Sequence, residues 1–380
     1  MVDQVKFLQD LVRAKSLSGN EEAAADLIVE EMNQLGYDEV KTDRLGNVVG
    51  IIGDRNPKVM LEGHMDTVEP GDLNNWDSDP FSAEIHNDIM YGRGTVDMKG
   101  PLSSMIFGAI NARDSIKEAR DGVMVTCVVH EETMEGAAIE QLISSSGLPT
   151  YVVLGEPSGL KICIGHRGRA VLDLQVRGET AHASMPHLGK NAALDLIDVI
   201  GVLRKKELGT DPALGRETMA LIDVSCKPGD GPIIPDEATA RLDFRIGRNT
   251  TEEDLAMFVQ EAVDEVSGVT GKAEVLEKIL RCYTGEELSA PFFFPAWYFD
   301  DEKMVDRIKS SVSFIPGVEA TIWDFSTDGV YTAGRADIPT IGFGPGDESL
   351  AHQPNEHISL EELKLATRGY ENIVRTLLTD

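Results

Sequence analysis

Three stretches of this chain are apolar without alternation, and each ends in groups able to do chemistry. VMLEGHMD closes on His64 and Asp66, VMVTCVVHEE on Glu131 and Glu132, and YVVLGEP on Glu156. A short unbroken apolar run describes a strand buried on both faces, and such strands belong to parallel sheets covered by helices. Helical spacing fills the gaps: residues 3–13, 21–35 with Asn20 as the expected N-cap, 101–117 and 136–145. The strands themselves are expected at residues 48–52, 59–61, 123–129 and 151–154. Alternation of this kind predicts an α/β domain built on a largely parallel sheet.

Residues 168–285 follow another rule. A strand pattern at 170–176 precedes a helix at 191–206, strands at 218–226 and 237–246, a helix at 251–266 and a strand at 273–280. The order βαββαβ predicts an inserted ferredoxin-like α+β domain. Residues 286–380 return to the first pattern and finish in a helix at 360–378. The expected organisation is therefore a catalytic domain in two parts, 1–167 and 286–380, interrupted by a smaller domain at 168–285.

Composition narrows the partners. The 380 residues hold 35 Lys+Arg against 65 Asp+Glu, a formal charge of -30. Nucleic acids and anionic membranes are bound through clustered basic charge, so neither is an expected partner. The start of the chain carries acids early and has no unbroken apolar core, which reads as an amphipathic helix rather than a secretion signal. Cys127, Cys163, Cys226 and Cys282 form no CxxC pair and are expected to be buried, reduced thiols. A cytoplasmic location follows as the expectation.

In parallel α/β sheets ligands gather where the strands end. His64, Asp66, Glu131, Glu132 and Glu156 would then converge from distant sequence. Two more segments carry chemistry: YGRGTVDMKG puts Asp97 in a glycine-rich loop before a helix, and AHQPNEHISLEEL puts His352 ahead of the last helix. Carboxylates at the ends of apolar strands are costly to bury unless paired or metal-bound. Two imidazoles and three carboxylates suit two divalent ions sharing one carboxylate, with zinc the default and Co2+ or Mn2+ served by the same donors. One carboxylate of the Glu131–Glu132 pair is left over, free to move a proton.

GHMDTV, GRGTVDMKG, HEE, GEP and AHQPNE, in this order, resemble the co-catalytic metallohydrolases that include acetylornithine deacetylase, succinyl-diaminopimelate desuccinylase, aminoacylase and the glutamate carboxypeptidases. The resemblance spans nearly the whole chain, and the inserted domain is similar to that family's lid and dimerisation domain. The run WDFSTDGVYTAGRADIPTIGFGPG is most similar to an uncharacterised hydrolase branch linked to selenium metabolism. The resemblance implies that His64, Asp97 and Glu156 hold one metal and that Asp97, Glu132 and His352 hold the other. It makes Asp66 the partner that fixes the His64 tautomer and Glu131 the general base and acid. His182, in GETAHASMPH, matches the lid histidine that stabilises the oxyanion. Lys99 and Gly100 are expected to shape the loop behind Asp97.

The implied reaction is attack of a metal-bridging hydroxide on an amide carbonyl. Members that remove acyl groups or act as carboxypeptidases carry Glu where this chain has Glu156, whereas many dipeptidases carry Asp and carbamoyl amidohydrolases His. That favours the deacylation of an N-acyl amino acid, with a metallo-di/tripeptidase or carboxypeptidase as the second reading and a non-enzymatic scaffold as a distant third. Recognition departs from the desuccinylase pattern. In GHRGR, His166 replaces a substrate-binding arginine while Arg167 keeps its neighbour, and Pro232 stands where that pattern has Asn. Arg245 matches an arginine that binds substrate carboxylate, with Arg167 and Arg335 as further substrate contacts. The resemblance also implies a homodimer formed through the inserted domain.

Overall fold

The computed structural model describes residues 3–380. They divide into two compact units: residues up to His166 with Ile279–Ser289 and Tyr298–Asp380, and Arg167–Lys278 with Ala290–Trp297.

The first unit is built on a mixed sheet. Its strands run in the order Glu39–Thr42, Val48–Gly53, Gly122–Val128, Val59–His64, Tyr151–Leu154, Thr340–Gly342 and Ile162–His166. The middle four are mutually parallel; the first two pairings and that of Thr340–Gly342 with Ile162–His166 are antiparallel, and Ala320–Trp323 adds a parallel strand beside Ile162–His166. Every residue of Val59–His64 and of Gly122–Val128 is buried, which is why these segments read as continuous apolar runs. Helices cover them. Gln4–Arg13 is capped by the Asp3 side chain on the Val5 N–H and buries Phe7, Leu8, Leu11 and Val12 on one stripe. Leu360–Leu378, capped by Ser359, buries Leu363, Ala366, Tyr370, Ile373, Val374 and Leu377 at helical spacing. It packs on Gly100–Asn111, where Gly108 admits Tyr370; a Cβ at Gly108 would lie 2.6 Å from that of Tyr370.

The second unit is an antiparallel sheet in the order Thr218–Lys227, Glu237–Ile246, Gly168–Arg177, Thr270–Val275. Counted along the chain the order is 2-3-1-4, the ferredoxin-like arrangement expected from βαββαβ. Glu237–Ile246 alternates half-buried and buried positions, so one face meets the helices Ala192–Leu203 and Glu252–Glu265 in an apolar core. Thr218–Lys227 is an edge strand with Leu221, Ile222 and Val224 exposed, and Leu194 and Ile197 are exposed on the first helix.

Several boundaries differ from the sequence reading. The unit expected at 168–285 begins at Arg167, gives up residues 279–285 and gains Ala290–Trp297, where Phe293 and Phe294 pair with Ala170 and Arg169. The strand expected at 273–280 is two, Thr270–Val275 and Glu277–Arg281, and the second forms its own two-stranded sheet with Glu287–Pro291. The helix expected at 101–117 breaks at Ala112, after which Arg113 bonds the Gly36 carbonyl and Asp38. Asn20 is not a cap: Glu21 holds that position and makes no side-chain cap bond. Cys127, Cys163 and Cys282 are buried free thiols, but Cys226 is exposed because its strand lies at the sheet edge. Among the described residues no helix is long and apolar enough to cross a membrane.

Candidate metal centre

His64 ends one parallel strand, opposite Val128 of its neighbour, and Glu62 lies opposite Leu154 of the other. Glu131 and Glu156 follow those neighbours by three and two positions, so all three side chains emerge at one edge of the sheet. His130 turns the chain there with a left-handed φ of 60°. Asp97 comes from the glycine-rich loop before Gly100–Asn111, and its peptide bond to Met98 is cis. His352 comes from the loop before the last helix.

Six side chains, His64, Asp97, Glu131, Glu132, Glu156 and His352, form one cluster. His64 Nε2 lies 3.0 Å from Asp97 Oδ1, 3.7 Å from Glu156 and 3.9 Å from Glu131. His352 Nε2 lies 3.1 Å from Asp97 Oδ2 and 3.0 Å from Glu132. The two oxygens of Asp97 are therefore divided between two imidazoles, the disposition of a bridging carboxylate. Donor atoms of His64, Glu131 and Glu156 lie within 4.8 Å of one another, as do those of His64, Asp97 and Glu132. Distances alone thus leave Glu131 and Asp97 as rivals for the place beside His64 and Glu156; only Asp97 also reaches the second histidine.

The donor set fits divalent cations. His64 Nδ1 lies 3.0 Å from the Asp66 carbonyl and 3.4 Å from its carboxylate, both acceptors, so the ring proton belongs on Nδ1. Nε2 is then a lone pair aimed at carboxylate oxygens, an arrangement that needs positive charge between them. Burial holds Glu131 and Glu156 well above the usual carboxylate range and pushes Glu132 up to about 7. Asp97 is buried too, but its bonds to His352 and His64 win and hold it low. Bonds to Asp97 and Glu132 raise His352 to about 10. Anionic donors buried at this density are stable when cations neutralise them.

Asp66 organises the loop that carries Glu131 and Glu132. Its carboxylate accepts the Ser18 hydroxyl at 2.6 Å and the backbone N–H groups of Glu131 and Glu132 at 3.2 and 3.3 Å. Lys99 is fully buried, donates to the Leu11 carbonyl, and is lowered to about 7 by burial. A Cβ at Gly100 would meet the Thr95 carbonyl at 2.2 Å, so this close turn requires glycine.

The other expected site residues lie elsewhere or are engaged. His182 is in the second unit, exposed, and its Nδ1 takes the Ser184 N–H at 3.2 Å, which leaves Nε2 to carry the proton. Arg245 lies 3.4 Å from Asp243, and Arg167 donates to the Arg216 carbonyl, both within that unit. Arg335, in the first unit, pairs with Glu140 at 3.3 Å. His166 is fully buried, and its Nε2 accepts the Thr327 N–H.

Sequence reasoning missed two buried carboxyl groups behind the cluster, Glu62 and Asp328. Burial and each other's proximity raise Glu62 well above its usual range, and burial raises Asp328 to about 6. Asp328 accepts the Gly136 N–H, anchoring the far end of the loop that begins at Glu131. A carboxylate inside the apolar run VMLEGH was the available signal for Glu62; Asp328 offered none.

Residues 60–376 match the model of peptidase family M20/M25/M40. YgeY, an uncharacterised protein of Escherichia coli strain K12, is 32% identical over 368 residues, covering 93% of this chain and 89% of its own. The succinyl-diaminopimelate desuccinylase of Acidiphilium cryptum is 28% identical over 292 residues, 72% of this chain and 78% of its own. The M20 family metallo-carboxypeptidase Sso-CP2 of Sulfolobus solfataricus shares the fold, with a TM-score of 0.74 at 19% identity over the full length of both chains.

Proposed function

This chain belongs to peptidase family M20/M25/M40 and is a metal-dependent amide hydrolase, and from that premise we propose that it removes the acyl group from an N-acyl amino acid. The observation that carries the reading is the cluster itself: Asp97 divided between His64 and His352, with Glu131 beside it on a backbone held by Asp66. His64, Asp97 and Glu156 would hold one ion and Asp97, Glu132 and His352 the other, with Zn2+ the first choice and Co2+ or Mn2+ alternatives. Such ions supply polarisation of the amide carbonyl and acidification of water.

The chain's own residues do the rest. The Glu131 carboxylate takes a proton from the attacking water and returns it to the leaving nitrogen. Its raised proton affinity, caused by burial, suits both tasks. His182, protonated on Nε2, would donate to the oxyanion. Arg245, Arg167 and Arg335 are the candidate holders of the free α-carboxylate, each first releasing its present protein partner. His166, buried and accepting the Thr327 N–H, stands where the desuccinylase pattern has arginine, which argues against succinyl-diaminopimelate as substrate.

The exposed apolar strip on Thr218–Lys227, together with Leu194 and Ile197, supports a homodimer through the second unit. The four free cysteines support a cytoplasmic setting.

A panel of N-acetyl, N-succinyl, N-formyl and N-carbamoyl amino acids, with di- and tripeptides alongside, tests the substrate class in the presence of Zn2+, Co2+ or Mn2+. Turnover of acyl amino acids at least tenfold above peptides is expected; peptide turnover alone would transfer the assignment to peptidase.

A further inference from the structure

The two loops that bring Asp97 and His352 together are joined by a buried ion pair that the chemistry above does not use. Arg93 and Glu356 are 2% and 0% exposed, and Arg93 Nη1 donates to Glu356 Oε2 at 2.6 Å. Each residue of the pair also grips the backbone of the opposite loop. Glu356 belongs to the His352 loop, yet its Oε1 accepts the N–H of Val96 at 2.8 Å and of Asp97 at 3.1 Å. Arg93 belongs to the Asp97 loop, yet its Nη2 donates to the His352 carbonyl at 3.3 Å and its Nη1 reaches the Gln353 carbonyl at 3.4 Å. The indole of Trp76 lies over the guanidinium, 5.3 Å from its carbon.

The contacts are reciprocal. A fork with several donors meets carbonyls on the far side, and a carboxylate with two acceptor oxygens meets N–H groups on the far side. The ligands so joined are those most in need of support. His64, Glu131 and Glu156 are set by the ends of hydrogen-bonded strands, whereas His352 is 49% exposed, sits on a loop and has a left-handed φ of 62°. Asp97 likewise lies in a stretch of non-helical backbone before its helix. A metal site requires its donors to be held to within about 0.5 Å, and loops do not supply that alone.

We propose that Arg93 and Glu356 are positioning residues that set the spacing of Asp97 and His352, and thereby the affinity of the metal site containing His352. The inference rests on the two-metal reading above. It predicts an unequal effect: loss of the brace weakens the His352 side and spares the strand-borne His64 side.

Arg93→Lys separates this role from simple charge pairing, because lysine keeps the charge opposite Glu356 but lacks the fork that reaches both carbonyls. Glu356→Gln is the complement, leaving one acceptor oxygen where two are in use. Metal-free wild type, both variants and His352→Ala are titrated with Co2+, followed by visible absorption and calorimetry, with the Tm of each metal-free protein recorded. Wild type is expected to take two equivalents. Arg93→Lys and Glu356→Gln should hold the first within about twofold and bind the second about ten- to a hundredfold more weakly, the usual range for outer partners of metal ligands. The equivalent they weaken should be the one that His352→Ala removes. Equal weakening of both equivalents in step with a fall in Tm, or wild-type affinities throughout, would overturn the proposal. Should Glu356→Gln fail to fold, Arg93→Lys decides alone. Fewer than two equivalents in wild type would instead remove the two-metal reading, and this inference with it.

Discussion

The backbone N–H of Glu131 donates to the carboxylate of Asp66 at 3.2 Å, across 65 positions of sequence. The same carboxylate holds the Glu132 N–H, accepts the Ser18 hydroxyl and lies 3.4 Å from His64 Nδ1. The Asp66 side chain thus fixes the backbone that carries Glu131 and Glu132, while its own carbonyl, 3.0 Å from Nδ1, keeps the ring proton of His64 on that nitrogen. Asp66→Asn puts an amide donor among these donors. It should lower kcat/KM about a hundredfold and loosen metal about ten- to a hundredfold, measured by steady-state kinetics and by metal content after gel filtration. Ser18→Ala, which removes one of four contacts, should cost only a few-fold in the same assays.

Glu131→Gln keeps the shape of the side chain and removes its proton chemistry. Metal content should stay at the wild-type value while kcat falls by about two to four orders of magnitude. Near-normal turnover in this variant would show that another group moves the proton.

Removal of metal should expose the cost of the buried acids. Glu132 is raised to about 7 in the folded protein, Glu131 and Glu156 well above the usual range, and His352 to about 10. Carboxyl groups raised above their unfolded values destabilise the fold increasingly as pH climbs from the unfolded to the folded value. A raised histidine stabilises below its unfolded value, and that benefit fades as pH rises toward its folded one. Both point the same way. Metal-free protein should therefore melt at a lower temperature at pH 8 than at pH 5.5, and stoichiometric Zn2+ should raise Tm most at pH 8. Calorimetry across that window checks both the slope and its reversal.

Away from the centre, Glu31 on the helix Glu22–Leu35 is 8% exposed, and its Oε1 meets no partner. Burial, then Glu30 and Asp10, raise it to about 7. Its ionisation costs stability above about pH 4.5 and reaches full cost above pH 7, so Glu31→Gln should stabilise the protein at pH 8 by on the order of 1 kcal/mol. Urea unfolding at pH 8 and pH 5 measures the difference, which should shrink at the lower pH.

The exposed strip of Leu221, Ile222 and Val224 lies on a sheet edge with unpaired backbone groups. Leu221→Lys combined with Val224→Lys should yield a monomer by light scattering with metal content unchanged. A dimer of wild-type affinity would place the interface elsewhere.

Much of the site was legible because its residues sit where sequence patterns are strongest. His64, Glu131 and Glu156 follow continuous apolar runs, and burial on both faces makes such runs readable without neighbours. Asp97 and His352 were found through the motifs around them. Other positions carried no local signal. Glu356 stood in the quoted PNE segment without a role, since nothing local shows that its carboxylate reaches the N–H groups of Val96 and Asp97. By contrast, Arg245 pairs with Asp243, two residues back on the same strand, an ion pair that strand alternation itself allows and that the sequence reading set beside substrate binding.

Local periodicity and residue chemistry specify the buried parallel strands, the order of elements in the inserted unit and the donors available for metal, and these were readable along the chain. Tertiary structure decided which donors share an ion, which acids lie buried without a partner, and where one unit ends and the other resumes. Those outcomes depend on distances between segments far apart in the chain, as when Phe293 joins Ala170 or Arg93 reaches the carbonyl of His352. No spacing along the chain encodes such distances; they exist only once the sheet and helices have packed.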